Sequence, residues 1–217
     1  MSIIRTIDDL HAGYRRFRAG RFLEAQDRYR LLAEDGQQPT VMLIACCDSR
    51  ADPAMIFDAG PGELFVLRNV ANLVPPPADD NAFRSTSAAI EFAVSVLKVQ
   101  HVVIMGHAQC GGVRAYVDGA MGEPAPGRYI AQWASLLKPA YDNVPEGLEA
   151  HEAAKVLERE AIRHSLMQLN AFPFVEERVK DGTLQTHGAF FGIATGVLEW
   201  LGPAEREFQP VSQGNRI

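Results

Sequence analysis

Two short apolar runs, each followed at once by a polar turn, constrain the fold of this chain of 217 residues most strongly. The first run covers residues 41–45 and the second residues 102–105. Neither alternates polar with apolar residues, which is typical of strands buried on both faces of a parallel sheet. Helix-like segments separate the strand-like ones. The sequence therefore predicts an α/β fold in which helices flank a mainly parallel central β-sheet.

The remaining elements are predicted from hydrophobic periodicity and from residues that start or stop helices. The hydroxyls of Ser85, Thr86 and Ser87 are candidate N-caps for a helix that runs to about residue 97. The predicted strands are 41–45, 64–67, 101–105 and 188–193, and the other predicted helices are 7–33 (as one or two helices), 52–57, one from 113, 129–141, 149–170 and 172–180. We expect one domain over residues 1–217, divided into an N-terminal helical arm (1–35), an α/β core (36–200) and a C-terminal tail (201–217).

Composition excludes several classes of partner. The formal charge of −6 offers no basic surface for nucleic acid or for an anionic membrane. No apolar run approaches the roughly 20 residues that span a bilayer, and acidic residues interrupt the N-terminus before a signal peptide could form. Three cysteines do not make a disulfide framework, which favours a reducing compartment. We therefore expect a soluble, cytoplasmic protein without nucleic-acid or membrane partners.

The two polar turns carry a candidate metal site. Parallel strands bind ligands at their carboxyl ends, so Cys46 after the first run should meet His107 and Cys110 after the second. Two thiolates and one imidazole suit zinc, and a set of three protein ligands leaves the fourth position open, as in catalytic sites. Cys47 should face away from Cys46, because neighbouring residues in extended backbone alternate sides, so we assign Cys47 to packing.

Asp48 and Arg50 accompany the predicted ligands. An unrestrained Asp48 could itself bind zinc, but Arg50 competes for the carboxylate through paired hydrogen bonds and keeps it ionised. Held in this way, Asp48 can accept a hydrogen bond from a zinc-bound hydroxide and so aim the lone pair of the hydroxide oxygen at an electrophile. Three alternatives remain open: that the thiols and imidazole are ordinary core residues, that a fourth ligand makes the zinc structural, or that Asp48 and Arg50 form only a surface ion pair.

The motifs resemble those of the β-class carbonic anhydrases. C-x-D-S-R at residues 46–50 and H-x-x-C-G-G at 107–112 match that family, as do P-G-E-L-F-V-x-R-N-V-A-N at 61–72 and A-A-I-E-F-A-V at 88–94. The resemblance covers most of the chain. It implies zinc held by Cys46, His107 and Cys110, with Asp48 and Arg50 as the accompanying dyad. It also implies reversible hydration of carbon dioxide to bicarbonate and a proton by a zinc-bound hydroxide.

The resemblance further implies a substrate pocket and an assembly. Phe65, Val70 and Phe92 match the family's apolar pocket positions, and Phe92 stands where plant-type members carry tyrosine. Gln37 and the backbone amide of Gly111 match its polar donors. In plant-type members this glutamine reaches across a dimer interface, so we expect a homodimer or a multiple of dimers.

The resemblance is to the plant-type subgroup, whose site rests open. Some bacterial members close the site when bicarbonate binds a pocket of tryptophan, arginine and tyrosine. This chain has Leu43 and Phe191 at the aromatic positions, and only Arg68 matches, so we expect no such regulation.

Two other functions remain to be tested. One is hydrolysis of carbon disulfide or carbonyl sulfide on the same zinc. The other is a non-catalytic zinc or thiol module that acts by binding partners.

Overall fold

The computed structural model describes residues 4–77, 84–124 and 126–212. The chain divides into two compact units, Met1–Gln38 and Pro39–Ile217. The boundaries expected for the arm, the core and the tail stay predictions. In the described ranges, every helix falls short of the length and apolar character needed to cross a membrane.

The first unit consists of three helices: α1 (Ile7–Ala19), α2 (Arg21–Glu24) and α3 (Gln26–Asp35). A capping box starts α1, in which the Thr6 hydroxyl accepts from the Asp9 amide and the Asp9 carboxylate accepts from the Thr6 amide. Residues 7–33, predicted as one or two helices, form three, with breaks at Gly20 and at Ala25. Aromatic rings of Phe17, Phe22 and Tyr29 pack together within the unit.

The second unit is built on a six-stranded sheet in the order β2-β1-β3-β4-β5-β6. Its strands are β1 (Val41–Cys46), β2 (Leu64–Asn69), β3 (His101–His107), β4 (Gln185–Phe191), β5 (Leu198–Leu201) and β6 (Gln209–Pro210). The first four run parallel and the last two antiparallel, which confirms a mainly parallel sheet. The four predicted strands are present, but β5 and β6 lie where no strand was predicted.

Strand order explains where the two motifs meet. The chain leaves β1 to form β2 on one side and returns to form β3 on the other side of β1. At such a reversal the connections diverge and leave a crevice at the carboxyl ends of the two central strands. Cys46 ends β1 and His107 ends β3, so both motifs open into this crevice.

Helices cover the sheet, and some differ from prediction. They are α4 (Pro53–Ile56), α5 (Arg84–Glu91), α6 (Gly111–Ala120), α7 (Arg128–Ala134), α8 (Lys138–Tyr141), α9 (Ala150–Asn170) and α10 (Pro173–Lys180). The prediction that Ser85–Ser87 cap a helix is wrong, because these residues lie inside α5. A π-helical turn at Phe92–Val96 follows α5, and a 3₁₀ turn at Ser135–Leu137 interrupts the single helix predicted over residues 129–141.

The core lies on both faces of the sheet, because strand residues alternate sides. Met42 and Ile44 of β1 pack with Ile162 and Leu169 of α9 on one face. Leu43 packs on the other face with apolar side chains of β3 and β4. A further buried cluster joins Cys46 and Cys110 to α6, α8 and α9. The carboxyl end of β1 is thus buried, with its neighbouring strands on either side and the long helix α9 packed against it.

Candidate metal centre

Three side chains converge at the carboxyl ends of β1 and β3. Cys46 is the last residue of β1, His107 is the last residue of β3, and Cys110 immediately precedes α6. Their potential ligand atoms all lie within 4.8 Å of one another, and all three residues are buried. The two sulfur atoms are 3.9 Å apart. The structure therefore brings together the trio predicted from the sequence.

The imidazole of His107 presents a free nitrogen. Its Nδ1 lies 2.9 Å from the carbonyl oxygen of Ala108, so this nitrogen donates and the tautomer with a bare Nε2 is favoured. Nε2 is buried and has no hydrogen-bond partner among the described residues. An orphaned buried acceptor is costly unless something binds it. A neutral histidine fixed through its other nitrogen is the usual form of a metal ligand.

The thiols of Cys46 and Cys110 affect each other's pKa, because their sulfur atoms are only 3.9 Å apart. Contact with Cys110 lowers the pKa of Cys46. The same contact with Cys46, together with burial, raises the pKa of Cys110 well above its usual range. The pair thus carries one negative charge readily and resists a second. A divalent cation between the sulfurs would remove that resistance, which fits a metal site.

Asp48 is held by Arg50 close to this trio. The Nε and the backbone amide of Arg50 both donate to Oδ1 of Asp48, each at 2.9 Å, and Nη2 donates to Oδ2 at 2.7 Å. These hydrogen bonds hold the pKa of the Asp48 carboxyl well below its ordinary value. Oδ2 also lies 3.9 Å from Nε2 of His107. Asp48 is therefore an ionised carboxylate beside the predicted metal position, and the two parallel hydrogen bonds from the Arg50 guanidinium fix its orientation.

Arg68 fastens the loop that carries Asp48. It donates to the carbonyl oxygens of Cys46 at 2.9 Å and Asp48 at 2.7 Å, and its Nη1 pairs with Asp52 at 2.8 Å. Sequence reasoning assigned Arg68 no part in holding this loop. The available signal was its place near the carboxyl end of β2, opposite Ala45 of β1.

Glu158 of α9 is a second residue that sequence reasoning missed. It is only 5% exposed, and its Oε1 accepts from the backbone amide of Cys110 at 3.1 Å. Burial raises the pKa of its carboxyl. The signal in the sequence was a carboxylate on the apolar face of a helix, since Ala154, Leu157 and Ala161 around it are all buried.

Cys47 is not buried as predicted. It takes no part in the trio, but the residue is exposed and not packed in the core. The reason is that β1 ends at Cys46, so the next residue already belongs to the open turn. The assignment of Cys47 to packing is therefore wrong for this chain, while its exclusion from the ligand trio agrees with the geometry.

The predicted pocket residues are placed unevenly. Gly111 begins α6 directly after Cys110, and the structure leaves open space where a side chain on it would point. Val70 follows β2 directly after Asn69, which is the register partner of Cys46. Both therefore lie at the metal end of the sheet.

Phe65 and Phe92 lie further from the metal end. Their rings are 5.9 Å apart, and Phe92 is 42% exposed. Phe65 stands opposite Met42, four residues before Cys46, so about 13 Å of strand separates the two levels. Gln37 belongs to the first unit and is exposed, and its role stays a prediction.

Comparisons with known proteins agree with the motifs. The family model described as carbonic anhydrase matches residues 41–198. Beta carbonic anhydrase 5, chloroplastic, of Arabidopsis thaliana is 33% identical over 196 residues, which make up 88% of this chain and 64% of that protein. The chain thus spans somewhat less than two thirds of the length of this relative.

Solved structures agree as well. The β-carbonic anhydrase CcaA aligns with a TM-score of 0.84 and 28% identity, covering 96% of this chain and 93% of that one. A tetrameric β-carbonic anhydrase of Sordaria macrospora aligns with a TM-score of 0.76 and 28% identity, covering 94% and 100%. The family match spans well over half of the residues and includes every member of the buried trio. The chain therefore belongs to the β-class carbonic anhydrases.

Proposed function

We propose that this protein is a zinc-dependent carbonate dehydratase that interconverts carbon dioxide with bicarbonate and a proton. One observation carries the proposal: the buried trio of two thiols and an imidazole lies beside an aspartate that an arginine holds in place. The donor set fits zinc, because thiolate and imidazole are its preferred ligands and three of them leave a position for substrate water. Cys46, His107 and Cys110 would hold the metal, which would acidify the water that it binds.

Asp48 would orient the reacting water. Its Oδ1 is occupied by two donors from Arg50, which leaves Oδ2, on the side of His107, as the oxygen that can accept a further hydrogen bond. Because Arg50 keeps the carboxylate ionised, Oδ2 can take the hydrogen bond of the water throughout the neutral pH range. The dyad therefore directs an oxygen lone pair at the carbon of carbon dioxide and does not bind the metal itself.

Arg68 supports an open site that bicarbonate does not regulate. All three of its donor nitrogens are engaged by Cys46, Asp48 and Asp52. Three of its five N–H groups therefore already hold the loop, which leaves it fewer donors for an anion. Leu43 and Phe191 offer no hydroxyl or indole that would compensate. Without a ligand that prefers a closed form, nothing shifts the Asp48 loop towards the metal.

The proposed substrate pocket needs a second copy of the chain. The rings of Phe65 and Phe92 pack on each other. Phe65 lies beside Met42, about four residues along the strand from Cys46. A pocket that places these rings over the metal must therefore take them from another copy. Gln37 would be contributed in the same way, as the family resemblance implies. We accordingly infer a homodimer or a multiple of dimers, and the fungal relative described as tetrameric agrees with that class of assembly.

A cytoplasmic location also stays a proposal. It is supported by the three cysteines, all of which are free thiols in the structure.

The proposal is tested by supplying three related gases to the zinc-loaded protein. Carbon dioxide, carbonyl sulfide and carbon disulfide are all linear and electrophilic, so a shared mechanism could act on each. We expect rapid turnover of carbon dioxide, lost when a chelator removes the metal and regained when zinc is restored. Faster turnover of carbonyl sulfide or carbon disulfide would show that this gas, and not carbon dioxide, is the substrate. No turnover of any gas would favour a binding module.

A further inference from the structure

Glu158 is a buried carboxylate that accepts a hydrogen bond from one turn of the candidate site. It lies on α9, is 5% exposed, and accepts the backbone amide of Cys110 at 3.1 Å. The backbone amide of Gln109 is close enough to the same carboxylate to lower its pKa, although burial raises that pKa overall. Its neighbour Arg159 is paired with Glu199 through contacts of 2.7–3.1 Å. The Glu158 carboxylate thus holds the peptide group that joins Gln109 to Cys110.

The turn that it holds needs external support. Gln109 has a φ of 57°, in the left-handed region that residues other than glycine adopt at a cost. Such a conformation persists only where surrounding groups enforce it. Both amides at this point precede the first turn of α6, so the helix gives them no acceptor of its own. A buried carboxylate is a strong acceptor for the Cys110 amide.

The same turn serves the metal trio and the dyad together. Its residue Cys110 supplies one of the two sulfurs of the trio. The carbonyl oxygen of Gln109 accepts from Nη2 of Arg50 at 3.0 Å, and that nitrogen also holds Oδ2 of Asp48. A rotation of the peptide groups at 109–110 would therefore move a metal ligand and release an anchor of the dyad.

We propose that Glu158 is a positioning residue that locks the Gln109–Cys110 turn and so fixes both the Cys110 ligand and the Arg50 side chain. It touches neither substrate nor metal, and it acts through the backbone of the turn. This inference rests on the metal site proposed above, and it adds a member to that site from a helix 48 residues away along the chain.

Cobalt binding tests the inference without reference to turnover. Metal-free protein is titrated with Co²⁺ alone, and the thiolate-to-cobalt absorption and the visible cobalt bands report affinity and ligand geometry. The variants are Glu158→Ala and Glu158→Gln. Glu160→Gln is the matched control, since Glu160 lies on the same helix and pairs with Arg163 at 3.3 Å.

Loss of a residue that orients a metal ligand costs about 10–100-fold in metal affinity. We expect that loss in Glu158→Ala, together with altered visible bands. Glu158→Gln keeps an acceptor oxygen of the same reach but without charge, so its loss should be smaller. The control should match the wild type. If Glu158→Ala does not fold, Glu158→Gln decides: weaker binding with changed bands supports the role, and wild-type affinity with unchanged bands overturns it.

The outcomes separate this inference from the proposed function. A wild-type chain that binds no Co²⁺ would refute the metal site and the role of Glu158 with it. Normal cobalt binding in the wild type and in both Glu158 variants would overturn only the positioning role. Normal cobalt binding by a wild type that hydrates no carbon dioxide would refute the function, while the spectra of the variants would still decide on Glu158.

Discussion

Single residues carry the candidate site, and most of them could be predicted from the sequence. The trio and the dyad follow from residue type and from the rule that ligands collect where parallel strands end. Arg68 and Glu158 could not be assigned, because their roles depend on backbone carbonyls and amides that become neighbours only in the folded chain. Cys47 was misplaced because the strand ends one residue earlier than its assignment to packing requires.

Replacing any one member of the trio should abolish tight metal binding. We expect Cys46→Ala, His107→Ala and Cys110→Ala each to lose zinc, because two remaining ligands hold it poorly, whereas the wild type should hold one zinc per chain. Elemental analysis after gel filtration measures the stoichiometry. Cys47→Ala is the matched control with a thiol one residue away, and zinc loss in that variant alone would refute the assignment.

The Asp48–Arg50 pair should stabilise the fold with a defined dependence on pH. The pKa of the Asp48 carboxyl is lowered in the folded chain, so its stabilising effect is complete above the ordinary value of about 4 and is lost as the pH falls below it. Urea denaturation of metal-free wild type and Asp48→Asn should show a gap on the order of 1–3 kcal/mol at pH 6.

That gap should shrink below about pH 4, because the unfolded and then the folded carboxyl take up a proton. Arg50→Met should abolish most of this pH dependence, since it removes the donors responsible for the shift. A gap that widened towards acid pH would contradict the sign of the effect.

At the scale of elements, the close approach of α6 to the turn after β2 shapes the site. A Cβ on Gly112 would lie 2.5 Å from Cγ1 of Val70 and 3.1 Å from Cβ of Ala71, whereas one on Gly111 would meet nothing within 4 Å. The adjacent glycines Gly111 and Gly112 therefore meet different structural requirements. Gly112 permits packing, and Gly111 leaves space beside the metal end of the sheet.

The paired variants Gly112→Ala and Gly111→Ala test this difference. Gly112→Ala should lower the free energy of unfolding by about 1–3 kcal/mol through overpacking, and it should weaken zinc binding because α6 begins next to Cys110. Gly111→Ala should fold with wild-type stability. Chemical denaturation measures both variants, and equal stabilities for the two would contradict the packing argument.

Secondary-structure elements could be predicted where the local sequence pattern determines them. They were missed where pairing with a distant part of the chain determines them. The buried parallel strands were evident from unbroken apolar runs. The antiparallel β5 and β6 were missed because β5 forms by pairing with β4 and β6 by pairing with β5. The four residues of β5 are too few to show a strand pattern in the sequence. The π-helical turn after α5 likewise has no signature in composition.

At the scale of the whole molecule, the active unit should be an assembly. The aromatic pair of Phe65 and Phe92 lies away from the metal level of its own chain, and the first unit exposes apolar side chains such as Ile7, Leu10 and Tyr14. Exposed apolar residues in one helix commonly mark an interaction surface. The sequence could predict an arm and a multimer through resemblance, but not the partner of each surface.

Removing residues 1–35 should therefore impair assembly and activity together. The remaining chain keeps the unit Pro39–Ile217, so circular dichroism should show that its sheet and helices persist. Light scattering should show a smaller species than the full chain, with carbon dioxide hydration reduced at least 10-fold because the pocket lacks its second copy. A fully active monomer would refute the proposed shared pocket.

Stopped-flow hydration of carbon dioxide, with zinc measured on the same samples, tests the central claim most directly. The wild type should hold one zinc per chain and hydrate carbon dioxide far faster than buffer does. Asp48→Asn should keep its zinc but lose at least about 100-fold in rate, the scale of loss expected when a reacting group is misplaced. Zinc-loaded wild type with no turnover above buffer, or Asp48→Asn at full zinc occupancy and full rate, would contradict the account.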